Sequence, residues 1–245
     1  MIANRTVLHS KYALVSPQSH VTSNLPGCVN TAATVLVSAA MGARFSQVLY
    51  KMASNGSISY KSGCEECFFY VIKGTCTFDS DTSTRHINQE SFFYIPPGTG
   101  LEIKSSGETC VLLAFFKNYE FLEGATPPEV YFGSMAQSKQ EPFGGDESIR
   151  LCTLLPDDMR FDMAVNILIY QPGRYLPITE SHVMEHGLYM LKGEGIFLLN
   201  KRYYRVTQGD TIWMAPYCPQ WFAALGHEAA SYLYYKDVNR YPDAG

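Results

Sequence analysis

Charge is scarce in this sequence, and none of it is clustered. Lys and Arg number 19 and Asp and Glu 23, so only 17 % of the 245 residues are charged and the net charge is −4. The absence of any basic stripe argues against nucleic acid as a partner. Long apolar runs are missing too. The best, from Ala32 to Ala43, is too short to cross a membrane and contains Ser and Gly, so no membrane association is expected. Met1-Ile2-Ala3-Asn4-Arg5 is not followed by an apolar signal-peptide segment. That leaves a cytoplasmic protein, or one of the endoplasmic reticulum whose leader has been removed. Helical periodicity is scarce as well. The cysteines are seven, an odd number without framework spacing, which fits reduced thiols better than a disulfide scaffold. Cys64-Glu65-Glu66-Cys67 has the gap of a zinc or redox pair, but no second pair accompanies it. It reads as two half-buried thiols in a strand.

What is present is a core. Hydrophobic residues make up 46 % of the chain, enough to exclude disorder. Short β-branched and aromatic runs recur between Gly, Pro and Asn: Phe45–Met52, Thr75–Asp79, Val111–Phe116, Val165–Tyr170, Gly195–Leu199 and Ser231–Tyr235. The runs also repeat. Lys73-Gly74 recurs as Lys192-Gly193, Pro97 as Pro216 and Lys117 as Lys236, each 119 residues later. A single offset without insertion marks two copies of one unit. Many short strands per copy predict an all-β chain of two tandem β-barrels of jelly-roll type, residues 1–125 and 126–245. The Gly-, Pro- and polar-rich stretch Glu123–Glu147 is the expected connector.

Two of only six histidines fall in Glu180-Ser181-His182-Val183-Met184-Glu185-His186. In a strand, positions two apart point the same way, so Glu180, His182 and His186 would share one face. Two imidazoles and a carboxylate are three-quarters of a divalent metal site. The offset supplies an internal control: the same positions of the first copy hold Lys61, Gly63 and Cys67. The site is therefore expected in the second copy alone.

Gly173, Glu180-Ser181-His182, His186 and Gly193 resemble the first motif of the cupin family, with Glu in the first histidine slot and His in the glutamate slot. Gly209, Pro216 and Cys218 resemble the second motif, whose metal-binding histidine is missing; Gln220 stands one position short of its place. Gln220 maps back to Leu101, and its amide oxygen would be a neutral ligand. Glu180–Gly187, Gly209–Trp221 and Tyr235–Arg240 narrow the resemblance to the bicupin family of (S)-ureidoglycine aminohydrolases, which act in the ureide branch of purine breakdown. That resemblance spans most of the chain. It implies a homo-oligomer acting on a small anionic ureido substrate. It implies Mn2+ held by Glu180, His182, His186 and Gln220, with Lys236, Tyr232 and Gln220 touching substrate. Glu180 and Lys236 are then the catalytic candidates, Glu180 through alternation between ligand and base. Phe197 departs from the family, which commonly has Tyr there. Tyr189, Trp213 and Trp221 fit core or pocket wall equally. The rival readings are a dioxygenase-type cupin enzyme and a non-catalytic ligand-binding bicupin.

Overall fold

The computed structural model describes residues 4–80 and 83–240. Twenty strands lie among them. They are β1 (Val7–His9), β2 (Tyr12–Val15), β3 (Cys28–Val37), β4 (Phe45–Lys61), β5 (Glu65–Lys73), β6 (Cys76–Ser80), β7 (Ser83–Ile87), β8 (Ser91–Ile95), β9 (Gly100–Ser105) and β10 (Thr109–Asn118). Then follow β11 (Tyr131–Ser134), β12 (Lys139–Phe143), β13 (Asp146–Thr153), β14 (Met163–Tyr170), β15 (His186–Lys192), β16 (Glu194–Leu199), β17 (Arg202–Thr207), β18 (Thr211–Met214), β19 (Gln220–Leu225) and β20 (Ala230–Asp237). All six runs read as strands are strands. The helical content is two short 3-10 turns, Pro17–Ser19 and Ala39–Met41, and no helix of the described residues is long and apolar enough to cross a membrane.

The chain forms two compact units. The first is Val21–Ala39 with Arg44–Gln137; the second is Met1–His20, Ala40–Ala43 and Ser138–Gly245. This differs from one cut after residue 125, and strand pairing gives the reason. β2 adds antiparallel to β18 in the second unit, whereas β11, which stands 119 residues after β2, adds to β8 in the first. The leading strand of each copy is thus in the sheet of the other. Glu123–Glu147 is likewise more than a connector, since it contains β11 and β12.

In the first unit one nine-stranded sheet runs β11-β8-β5-β10-β4-β9-β6-β7, with β3 also on β4. The long β4 serves both ends of it, pairing with β10 through Phe45–Ala53 and with β9 through Ser57–Lys61. Buried Phe69, Phe78, Phe93 and Ile103 are among its core. In the second unit the corresponding sheet is broken into eight strands, β1-β2-β18-β15-β20-β14-β13-β12, and three, β17-β16-β19. Proline explains the break. The counterpart of the second half of β4 is Gln171–Glu180, where Pro172 and Pro177 stand in place of Ala53 and Ile58. A proline cannot donate to a ladder, so this segment keeps only isolated bridges, Tyr175 to Ala223 and Glu180 to Gln220.

The repeated Lys-Gly has a local cause as well. Gly74 and Gly193 have φ of +80° and +74°. A Cβ there would meet Thr109 O at 2.2 Å or Ala230 Cα at 2.8 Å. Both copies therefore need glycine at this turn.

Candidate active site

A cavity of about 180 Å³ opens in the second unit, lined by all six residues singled out above: Glu180, His182, His186, Gln220, Tyr232 and Lys236. That is the space of roughly six waters, suited to a small molecule and below the range of drug-sized ligands. Leu168, Leu176, Leu188, Phe197 and Met214 supply apolar wall.

The expected route to this arrangement needs correction. Glu180, His182 and His186 do not alternate along one strand, because only His186 belongs to one, at the start of β15. Glu180 and His182 sit in the proline-bearing segment before it. Backbone hydrogen bonds fix that segment: Glu180 N donates to Gln220 O and Gln220 N to Glu180 O, both at 2.9 Å. This reciprocal pair sets two of the four candidate ligands side by side. Tyr217 N donates to His182 O at 2.7 Å, and Ser181 Oγ to Tyr217 O at 3.1 Å. His186 is held differently, between Met214 of β18 and Lys236 of β20.

The imidazoles of His182 and His186 lie 4.9 Å apart between ring centroids. Gln220 Nε2 is 3.2 Å from His182 Nε2, while His182 Nδ1 is buried without a hydrogen-bond partner. Burial, and then the other imidazole, push the His186 pKa well below the ordinary histidine value; burial first and Lys236 second lower that of His182. Both shifts favour the neutral ring at neutral pH, the form that binds metal. Burial raises the Glu180 pKa and Lys236 opposes that rise; burial lowers the Lys236 pKa, opposed by Glu180 and Asp157. One carboxylate, two neutral imidazoles and an amide suit a divalent ion of the manganese type, so the donor set fits. Among the described residues no three His, Cys, Asp or Glu side chains are already closed around one point.

Lys236 is not the twin of Lys117. Lys117 Nζ donates to Asn118 O at 3.1 Å and Glu120 Oε1 at 3.3 Å. Lys236 faces the cavity, and no hydrogen bond of its Nζ is found among the described residues. Along β20, Tyr232, Tyr234 and Lys236 alternate onto this one face. The Tyr232 hydroxyl lies 2.9 Å from that of Tyr170, both buried.

Two features escaped the sequence reading. Tyr234 lines the cavity, and the two-residue period from Lys236 would have found it. Glu185 is buried; its Oε1 accepts from Trp213 Nε1 at 2.6 Å, and its own N–H is donated to Asp237. The 119-residue offset pairs that contact with one in the first unit, where buried Glu66 accepts from Tyr94 Oη at 2.6 Å. Trp213 and Tyr189 are core, and Trp221 donates Nε1 to Leu176 O at 2.7 Å. Cys64 and Cys67 are not two half-buried thiols: Cys64 is exposed outside the strand and Cys67 fully buried in β5.

Two copies of one β unit, one bearing a polar cavity, define a bicupin. The fold is shared with Lactobacillus farciminis oxalate decarboxylase (TM-score 0.74, 13 % identity, 98 % of this chain and 90 % of that one). It is closer to the Escherichia coli protein Ylba (TM-score 0.89, 29 % identity, 99 % and 97 % covered). No family model matches the chain. Among curated proteins it is 37 % identical to the probable (S)-ureidoglycine aminohydrolase of Oryza sativa subsp. japonica, over 97 % of this chain and 76 % of that protein. It is 33 % identical to the (S)-ureidoglycine aminohydrolase of Escherichia coli, over 98 % and 94 %. The chain belongs to the (S)-ureidoglycine aminohydrolase family, a family of hydrolases.

Proposed function

We propose that the second unit hydrolyses (S)-ureidoglycine to (S)-ureidoglycolate and ammonia in a manganese-dependent reaction, with Glu180, His182, His186 and Gln220 holding the metal. The observation that supports this most is the convergence of those four donors and Lys236 on one small cavity. When bound, Mn2+ supplies a positive centre that orients the anionic substrate and stabilises charge developing on oxygen.

The substrate carbon bears an amino group, a ureido nitrogen and a carboxylate. A water oxygen bonds to that carbon, the carbon–amino bond breaks, and the proton released by water departs with ammonia. Lys236 binds the substrate carboxylate as a point charge. Glu180 is the sole carboxylate among the lining residues. Alternating between metal ligand and base, it would take the proton from water and return it to the leaving nitrogen. Tyr232 hydrogen-bonds the ureido end, its hydroxyl oriented by Tyr170. The leucines and Met214 keep bulk water out, which strengthens each of these charged contacts.

Ammonia release from ureidoglycine, generated in situ from allantoate, tests the reading with Mn2+ and the Glu180→Ala variant. The expected result is manganese-dependent release well above the spontaneous rate, abolished in the variant. No acceleration by metal-loaded wild type overturns the reading in favour of a different substrate or a binding protein.

A further inference from the structure

His186 is buried at the cavity wall, yet as a ligand it must present one imidazole nitrogen in one direction. Its ring has a neighbour suited to set that direction. Tyr234 stacks against it, centroids 6.0 Å apart and planes 29° off parallel. Tyr234 is the register partner of Asn166 on β14, and that amide acts on its hydroxyl, opposing the rise in pKa that burial imposes. Asn166 is itself buried. Placing an amide and a phenol inside an apolar barrel costs free energy unless they satisfy each other.

The duplication shows that the barrel does not need this pair. Phe115 stands in the first unit where Tyr234 stands in the second, and Gln47 where Asn166 stands. Phe115 packs on Phe45 and Phe68, and the position of His186 is taken by Cys67. The phenol occurs in the unit that has the histidine and is lacking in the unit that does not.

We infer that Tyr234 and Asn166 are a positioning pair for His186: the amide fixes the phenol, and the phenol ring fixes the plane of the imidazole toward the metal. The inference rests on the manganese reading of the cavity. Residues behind a ligand that fix its orientation are worth about 10–100-fold in metal affinity.

The test is Mn2+ titration followed by EPR, with the melting temperature of each protein measured alongside. Tyr234→Leu is expected to raise the Mn2+ Kd by about 10–100-fold and to change the fine structure of the bound ion. Tyr234→Phe keeps the ring, loses the hydroxyl and falls between it and wild type. Phe115→Leu, the same truncation in the first unit, is expected to leave Kd unchanged. A folded Tyr234→Leu with wild-type Kd overturns the inference, as does an equal loss in Phe115→Leu. Should Tyr234→Leu not fold, Tyr234→Phe decides: wild-type Kd and fine structure overturn the inference, and a weaker Kd upholds it. Wild type that binds no Mn2+ overturns the manganese reading itself, and the inference with it.

Discussion

Cys67 and His186 occupy equivalent positions on β5 and β15, and both are buried among aromatic neighbours. Burial pushes the Cys67 thiol pKa up, which keeps it protonated and a poor ligand. Burial pushes the His186 pKa down, which keeps it neutral and a good one. The same desolvation therefore silences a thiol and prepares an imidazole. What surrounds them follows the same division. The carboxylate–aromatic contact is kept in both units, as Glu66–Tyr94 and Glu185–Trp213. Lys61, Gly63 and Leu101 of the first unit replace Glu180, His182 and Gln220 of the second. The comparison separates what a barrel of this kind needs in order to fold from what it needs for chemistry.

Exchanging the two residues breaks the comparison most sharply. His186→Cys makes the second unit like the first at one position, and ammonia release is expected to fall by more than about 100-fold, beyond what loss of a residue behind a ligand costs. The reverse change, Cys67→His, is expected to add no manganese site, because Lys61, Gly63 and Leu101 remain. Metal content of the purified variant checks this, and a second equivalent of manganese would refute it.

A smaller effect sharpens the division between scaffold and site. Tyr94→Phe removes one donor to the buried Glu66 carboxylate, a charged hydrogen bond worth about 1.5–3 kcal/mol. At about 2–4 °C per kcal/mol the melting temperature should drop by several degrees. Ammonia release should survive at temperatures where the protein is folded. Trp213→Phe is expected to cost similar stability and activity as well, since Glu185 adjoins His186. Equal retention of activity by the two variants would show that the contact near His186 serves stability alone.

Much of this was legible in the residues. β-branched and aromatic runs mark strands because their partners lie in the same copy, and a fixed offset survives because each barrel needs the same turns, such as Gly74 and Gly193. The site residues were legible too, though not their geometry. Alternation along a strand put Glu180, His182 and His186 on one face, whereas Pro172 and Pro177 had already broken the strand; the loop pinned to Gln220 delivers Glu180 and His182, and β15 delivers His186. The strand exchange was illegible because β2 and β11 carry apolar residues that fit either sheet; propensity does not name a partner. β12 was hidden by its own composition, Lys139-Gln140-Glu141-Pro142-Phe143, whose partly exposed residues read as a connector. Glu185 was not singled out, because one sequence does not show that it and Trp213 meet; the 119-residue offset only pairs them with Glu66 and Tyr94.

The smallest effect concerns a wall that both units build from apolar residues. Phe197 lines the cavity, fully buried, with its ring 6.0 Å from Tyr232 and 5.6 Å from Phe222. Its counterpart in the first unit is Phe78, also buried. At this position of the cavity wall the second unit has the same side chain as the first, where the family resemblance leads one to expect tyrosine. Phe197→Tyr therefore takes the second unit one step further from the first. The added hydroxyl enters the cavity, where its expected partner is the substrate or a water held with it. One net hydrogen bond is worth about 0.5–1.5 kcal/mol, which predicts a rise in kcat/KM of about 2- to 10-fold. Steady-state ammonia release measures it. A fall accompanied by a raised KM would mean instead that the cavity is already filled to its walls by substrate, and that Phe197 is matched to a bulkier ligand than ureidoglycine.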